Sequence, residues 1–365
     1  MKKWWFGPNG IRSPFFATLI TLLVIFIGGY ASLYTAEIKN AFPFQDFDPE
    51  TFCKSPALTF WVLTLLTGGL YFFREHSVEK NDSALRTEMI NQIQTLPPSD
   101  FLNEFADLYD RGEALYEHAL SSRDIEEVKK TIRGILTCLC QLTDTFDSPK
   151  QGTGSERYAA NIMLFKDSTK LDQNAKTEIQ SRIKFINRDA TISNLRGVLD
   201  VQKELSTDSS AQSSEIDSAL VEFALPIPND EYTEVGGERR SKILPGAPMS
   251  FCERRTELYN DTNHIYEWCE KNGDFTIDVK NQIREYFGGT DGKLIGSFLS
   301  LPLMKDRDAK PIGVINVHKT GSHLLVDEKR LRHFDPIIRP YRHMLTKLVM
   351  RLETLQNDPK TADKV

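Results

Sequence analysis

The stretch from Leu294 to Phe334, LIGSFLSLPLMKDRDAKPIGVINVHKTGSHLLVDEKRLRHF, carries the reading of the fold. Two apolar runs in it, Leu294 to Leu303 and Pro311 to Val317, have the length and composition of strands, and the charged segment MKDRDAK joins them. A final helix starts near Asp335. Pro336 and Pro340 offer no N–H to a helical ladder, so regular helix is expected from about Pro340, a residue that suits a first turn. Beyond it Tyr341, Leu345, Leu348 and Leu352 recur at alternating steps of four and three, an apolar seam.

Upstream, Phe275 to Phe287 reads as a helix closed by Gly288 and Gly289. The Pro/Gly turn Leu244 to Ser250 leads into FCERRTELYND, a short helix. Tyr158 to Phe165, Leu195 to Val201 and Ala219 to Leu225 are further strand candidates, and Ser206 to Ser218 is polar loop. Before them Ile125, Val128, Ile132, Ile135, Leu139, Leu142 and Phe146 form a second seam over three heptads. Such a seam serves either an ordinary helix packed on its own domain or the pairing of two chains.

Taken in order, these features resemble a GAF domain. The closing half is similar in its strand with Ser300 before Pro302 and Leu303, its hairpin, its strand with Ile312, Gly313 and Val314, and its returning helix. The opening is similar too: a seam helix, then NIMLF. The resemblance covers 123–356, with extra polar sequence between 167 and 219 that compact members lack. It implies an α+β fold: a six-stranded antiparallel sheet, helices on one face, and a pocket on the other for cyclic nucleotides, haem, bilins or other small molecules. It also implies dimerisation through flanking helices. The chain departs from the cyclic-nucleotide pattern, having no Asn-Lys-x-x-Phe followed by an Asp-Glu pair, and it has no Cys-His dipeptide for a bilin. Ligand and cofactor stay open.

By the resemblance the pocket falls in 244–300. Phe251, Tyr259 and Phe275 could stack on a ring, Arg254 and Arg255 could pair with phosphate, and Ser297 or Ser300 could bond a base edge. Core packing of the aromatics and a solvated helix face for the arginines explain the same residues. Cys252 and Cys269 raise a rival reading, a membrane-tethered thiol enzyme such as a methionine sulfoxide reductase. Cys138 and Cys140, two apart on a helix, point in different directions and make a poor metal or redox pair. No histidine spacing suits a metal, and no phosphate loop, HExxH or nucleophile elbow is present.

Nearer the N-terminus the composition changes. Ser13 to Ala36 holds no charged residue, and Ser55 to Phe73 is a second uncharged run with aromatics at both ends. The expected layout is a cytoplasmic stretch over 1–13, transmembrane helices over 14–36 and 55–73, and an external loop over 37–54. A helical linker over 74–122, the GAF-like domain over 123–356 and a disordered tail over 357–365 complete it. Lys2, Lys3 and Arg12 precede the first run without an acid, whereas the loop carries Glu37, Asp46, Asp48 and Glu50 against Lys39 and Lys54. Basic flanks stay inside, which places both termini in the cytoplasm of a multi-pass inner-membrane protein. There the cysteines stay reduced.

Against the 45 Lys and Arg stand 51 Asp and Glu, a net charge of −6 that argues against coating a nucleic acid; five cysteines are no disulfide framework. The resulting expectation is a non-enzymatic sensor of a small molecule, possible nucleotides included. Its two seams would pair chains into a homodimer or higher oligomer, and its output would be a partner protein or the spans themselves. Permeabilisation by assembled spans, as in bacterial defence effectors, is one form of that output.

Overall fold

The computed structural model describes residues 14–40, 56–95, 101–147, 156–208, 215–289, 292–306, 309–325 and 328–358, with side chains left out at 14–16, 40 and 77–95. The chain divides into two compact units, Met1–Gln94 and Thr95–Val365. The first holds helix α1 (Pro14–Leu33), the short α2 (Thr35–Asn40) and a 40-residue helix α3 (Pro56–Thr95). Among the described residues one helical segment, the 21-residue Pro56–His76, is long and apolar enough to cross a membrane. Its Leu65 and Phe72 are 74% and 67% exposed, the outward apolar surface that lipid would cover. Ala17–Leu33 is apolar but shorter, so the expectation of two spans is supported for one of them. Most of the external loop over 37–54 and both termini lie outside the described residues.

The second unit is built on a six-stranded antiparallel sheet in the order β3-β2-β1-β8-β7-β6. Its strands are β1 (Tyr158–Asp167), β2 (Leu195–Asp208), β3 (Ala224–Pro228), β6 (Glu257–Tyr259), β7 (Ser297–Met304) and β8 (Pro311–Lys319); β4 (Tyr232–Val235) and β5 (Glu238–Ser241) form a separate hairpin. Both faces are covered, so the central strands bury side chains in both directions. On β1 and β8, Tyr158, Ala160, Ile162, Ile315 and Val317 face one layer, and Met163 and Val314 face the other.

Three helices cover the first face: α4 (Phe101–Ser121), α5 (Ile125–Asp147) and α10 (Glu328–Gln356). This layer absorbs both seams. Val128, Ile132, Ile135, Leu139 and Leu142 of α5, with Tyr341, Leu345, Leu348 and Leu352 of α10, are buried in one cluster with the sheet inside a single chain, and Ile125 packs at its edge. Pairing of two chains through these seams would need an apolar face left open after such packing. Helix α4 covers it: Phe101 is fully buried edge-on against Phe146, with ring centroids 5.1 Å apart. Residues 101–121 therefore belong to the folded unit, whereas the sequence reading places them in a linker.

One buried carboxylate locks α5 to the sheet. Asp147 Oδ2 accepts from Lys319 Nζ at 2.7 Å and from Tyr158 Oη–H at 2.8 Å, and Oδ1 accepts from the Leu325 amide at 2.7 Å. Arg330 donates to the Phe146 carbonyl at 2.7 Å, satisfying the end of the same helix.

Other differences from the sequence reading are local. Helix α10 starts at Glu328 and runs through Pro336 and Pro340, because packing of Phe334 and Ile338 holds the turns that the prolines weaken. The segment after Glu253 turns into β6 instead of continuing α7 (Ala247–Glu253), with Arg254 left-handed at φ 56°. Between β1 and β2 lies an unforeseen helix, α6 (Gln173–Arg182), capped by Asp172 accepting from the Ala175 amide at 2.8 Å. Helices α8 (His264–Asn272) and α9 (Ile277–Gly288) complete the second face.

Candidate functional site

Beneath α7, α8 and α9 the second face of the sheet bounds a cavity of about 90 Å³. Its floor is the polar interruption of two apolar strands. Asn161 on β1 and Asn316 on β8 are cross-strand partners, and Ser300 on β7 is the next in line. Ser300 Oγ donates to Asn316 Oδ1 at 2.7 Å, and Asn316 Nδ2 donates to Asn161 Oδ1 at 3.1 Å. This relay leaves the Asn161 amino group with no hydrogen-bond partner among the described residues, although only 6% of the residue is exposed. His318, two residues along β8 on the same face, is also 6% exposed and lines the cavity with no hydrogen bond among the described residues. Its desolvation lowers the imidazole pKa to about 4, so it is neutral at pH 7, with one nitrogen donating and the other accepting.

The walls are aromatic. Phe185, Phe223, Tyr286, Phe287 and Phe298 line the cavity. Phe185 adopts φ 60°, unusual for a bulky side chain, and meets Tyr286 edge-on at 5.4 Å. Its neighbour Ile186 is held to α9 by Gln282, which accepts from the Ile186 amide at 3.3 Å and donates to its carbonyl at 2.8 Å. Phe298 is placed by Gly246 (φ 87°), where a Cβ would come within 2.7 Å of its ring.

None of the seven residues singled out from the sequence lines this cavity. Ser300 reaches its floor through Asn316, and Tyr259 stacks on Phe298 from behind at 5.2 Å. Phe251 is buried against Phe165, ring centroids 4.7 Å apart. Phe275 packs beside Cys269 in the cluster under α8 and α9. Ser297 faces the helical layer, donating to the Gly321 carbonyl at 2.7 Å and accepting from the Leu324 amide at 3.1 Å. Arg254 is exposed, and Arg255 pairs with Glu253 at 2.8 Å and Glu257 at 2.7 Å along a separate polar cleft. The segment 244–300 does supply most of the cavity wall, through Leu244, Ala247, Ile265, Ile283 and Phe298 among others. Asn161, Asn316 and His318 escaped the sequence reading. Their signal was a polar residue at inward positions of the apolar runs NIMLF and INVH.

The thiols are set against nucleophilic work. Burial pushes the Cys252 thiol up to about 11, although Arg196 donates to its Sγ at 3.1 Å, and burial pushes Cys269 up to about 12. The two sit in different apolar clusters. Among the described residues no group of three or more His, Cys, Asp or Glu side chains could hold a metal.

No family profile and no curated protein matches the chain. Among solved structures it is similar to the GAF domain region of a Geobacter sulfurreducens PCA protein assigned to the membrane, at 14% identity and a TM-score of 0.25. That match covers 60% of this chain and 93% of the other.

Proposed function

We propose that the chain is a membrane-anchored sensor of a small molecule, which it binds in a GAF-like domain. One observation carries the reading. Two polar groups of buried residues on the sheet, the Asn161 amino group and the His318 imidazole, have no hydrogen-bond partner among the described residues, and both side chains line an aromatic cavity. Buried polar groups are nearly always satisfied, so an unmet pair on a cavity floor marks a place for a ligand.

The anchor is the apolar helical segment Pro56–His76, with the run over 14–36 as a second span. The basic residues before that run and the acidic loop after it favour cytoplasmic termini. Strands β1 and β8 offer the route for a signal. They turn Asn161 and His318 toward the ligand, and Ile162 and Val317 toward the helical layer. A shift of the sheet on binding would therefore be felt by α5 and α10.

The test is the small-molecule inventory of the purified full-length protein, measured by mass spectrometry. Ala247, 5% exposed and on the cavity wall, is replaced by Trp to fill the space. A compound that travels with the native protein and is missing from a folded Ala247→Trp variant supports the proposal. Identical inventories refute it.

A further inference from the structure

We infer that the buried part of the ligand is an uncharged planar heterocycle with a hydrogen-bond acceptor and a donor on one edge. This rests on the sensor reading above and names its ligand class. Among the described residues no Asp, Glu, Lys or Arg lines the cavity. The cations nearby are engaged elsewhere. Arg157, which acts on His318 electrostatically, donates to Asp208 at 3.0 and 2.8 Å and also pairs with Asp217. Lys184 stands over the rings of Tyr286 and Phe223, 4.3 and 5.4 Å from their centroids, and is not part of the lining. A phosphate or carboxylate carried to the floor would lose its water and meet no counter-charge, an arrangement that folded proteins avoid.

Shape and polarity complete the argument. Rings on the walls offer flat faces for stacking, which suits a planar ligand. The floor offers the Asn161 amino group, a donor, beside a neutral imidazole that can accept as well as donate. A lactam-type edge, with a carbonyl beside a ring N–H, answers both. A purely apolar ring would leave both groups unmet, and a site built for hydrogen bonds rejects ligands that lack them.

The experiment is calorimetric titration of the full-length protein in detergent. The probes are hypoxanthine and pterin, adenosine 3′,5′-cyclic monophosphate, and naphthalene as an apolar ring. The inference expects a lactam probe to bind and Asn161→Leu to weaken it at least tenfold, with Asn316→Asp, which puts a charge in the floor, also unfavourable. Binding of the cyclic nucleotide with neither lactam probe binding overturns it. So does naphthalene binding equally to native and Asn161→Leu protein while the lactams fail, although the cavity reading then survives. If no probe binds, the ligand class is wrong, and the Ala247→Trp inventory decides separately whether the cavity is a ligand site at all.

Discussion

Replacing Asp147 by Ala removes the group on which three elements converge. Its side chain is 3% exposed and Lys319 beneath it 8%, so the ion pair lies away from water. The substitution would take from the buried Tyr158 hydroxyl and Leu325 amide their bonds to Asp147, and leave Lys319 with Glu156, at 3.0 Å and 44% exposed, as its carboxylate among the described residues. Breaking one side of a buried pair costs about 3–5 kcal/mol, a large fraction of the roughly 5–15 kcal/mol that holds a domain together. Lys319→Met should cost less, because Asp147 keeps Tyr158 and Leu325 as donors. The double variant should then cost clearly less than the sum, with a coupling of about 1–3 kcal/mol. Urea unfolding of the full-length protein in detergent, followed by far-ultraviolet circular dichroism, gives these values; a fall in Tm on the order of 10 °C should accompany the single change. A loss under about 1 kcal/mol for Asp147→Ala, or strict additivity in the double variant, would refute the idea that the pair pins α5 to the sheet.

Four further outcomes follow from the same structure. Ile132→Glu or Leu348→Glu buries an unpartnered charge inside one chain, so helical signal should collapse; a folded protein of altered oligomeric state would return the seams to the surface. His318 has a folded pKa of about 4 against 6.5 unfolded, so the unfolded chain binds the extra proton. Its contribution is complete above pH 6.5 and is lost as pH falls toward 4, by about 2 kcal/mol at pH 5. Native minus His318→Phe stability should show this slope, and parallel pH profiles would contradict it. With thiols raised to about 11 and 12, Cys252 and Cys269 should alkylate with iodoacetamide at pH 7.5 more slowly than free cysteine, as peptide mapping would report; a faster reaction would reopen the thiol-enzyme reading. A reporter fused after Val365 should be active only in the cytoplasm, and activity outside would reverse the proposed topology.

How much of this was legible in the sequence depended on the range of the signal. Periodicity located α5, α9, β1 and β8, because each buries a regular set of positions. The prolines of α10 misplaced its start, since local propensity is a weak prior against the packing of Phe334 and Ile338. The seams were visible, but their partners were not. Whether Ile132 meets another chain or α10 is decided by where α4 lands, and nothing in the seam's spacing records that. The residues of the cavity floor escaped for a related reason. Aromatic and charged residues in 244–300 attracted attention by type, whereas the floor is made by three ordinary polar residues that only cross-strand register brings together: Asn161 opposite Asn316, and Asn316 opposite Ser300.

The two prolines of α10 also set its mechanics. Pro336 and Pro340 cannot bond the carbonyls of Arg332 and Pro336, and a spacing of four puts both gaps on one side of the helix. Pro336 is exposed, so that side faces solvent. Its first turns are tied to the end of α5 through Arg330 and to the residue before β6 by Thr256 Oγ1 donating to Asp335 at 2.6 Å. With Phe334 and Ile338 buried in the same cluster, the turns that lack backbone bonds keep their place through side-chain packing and these two ties.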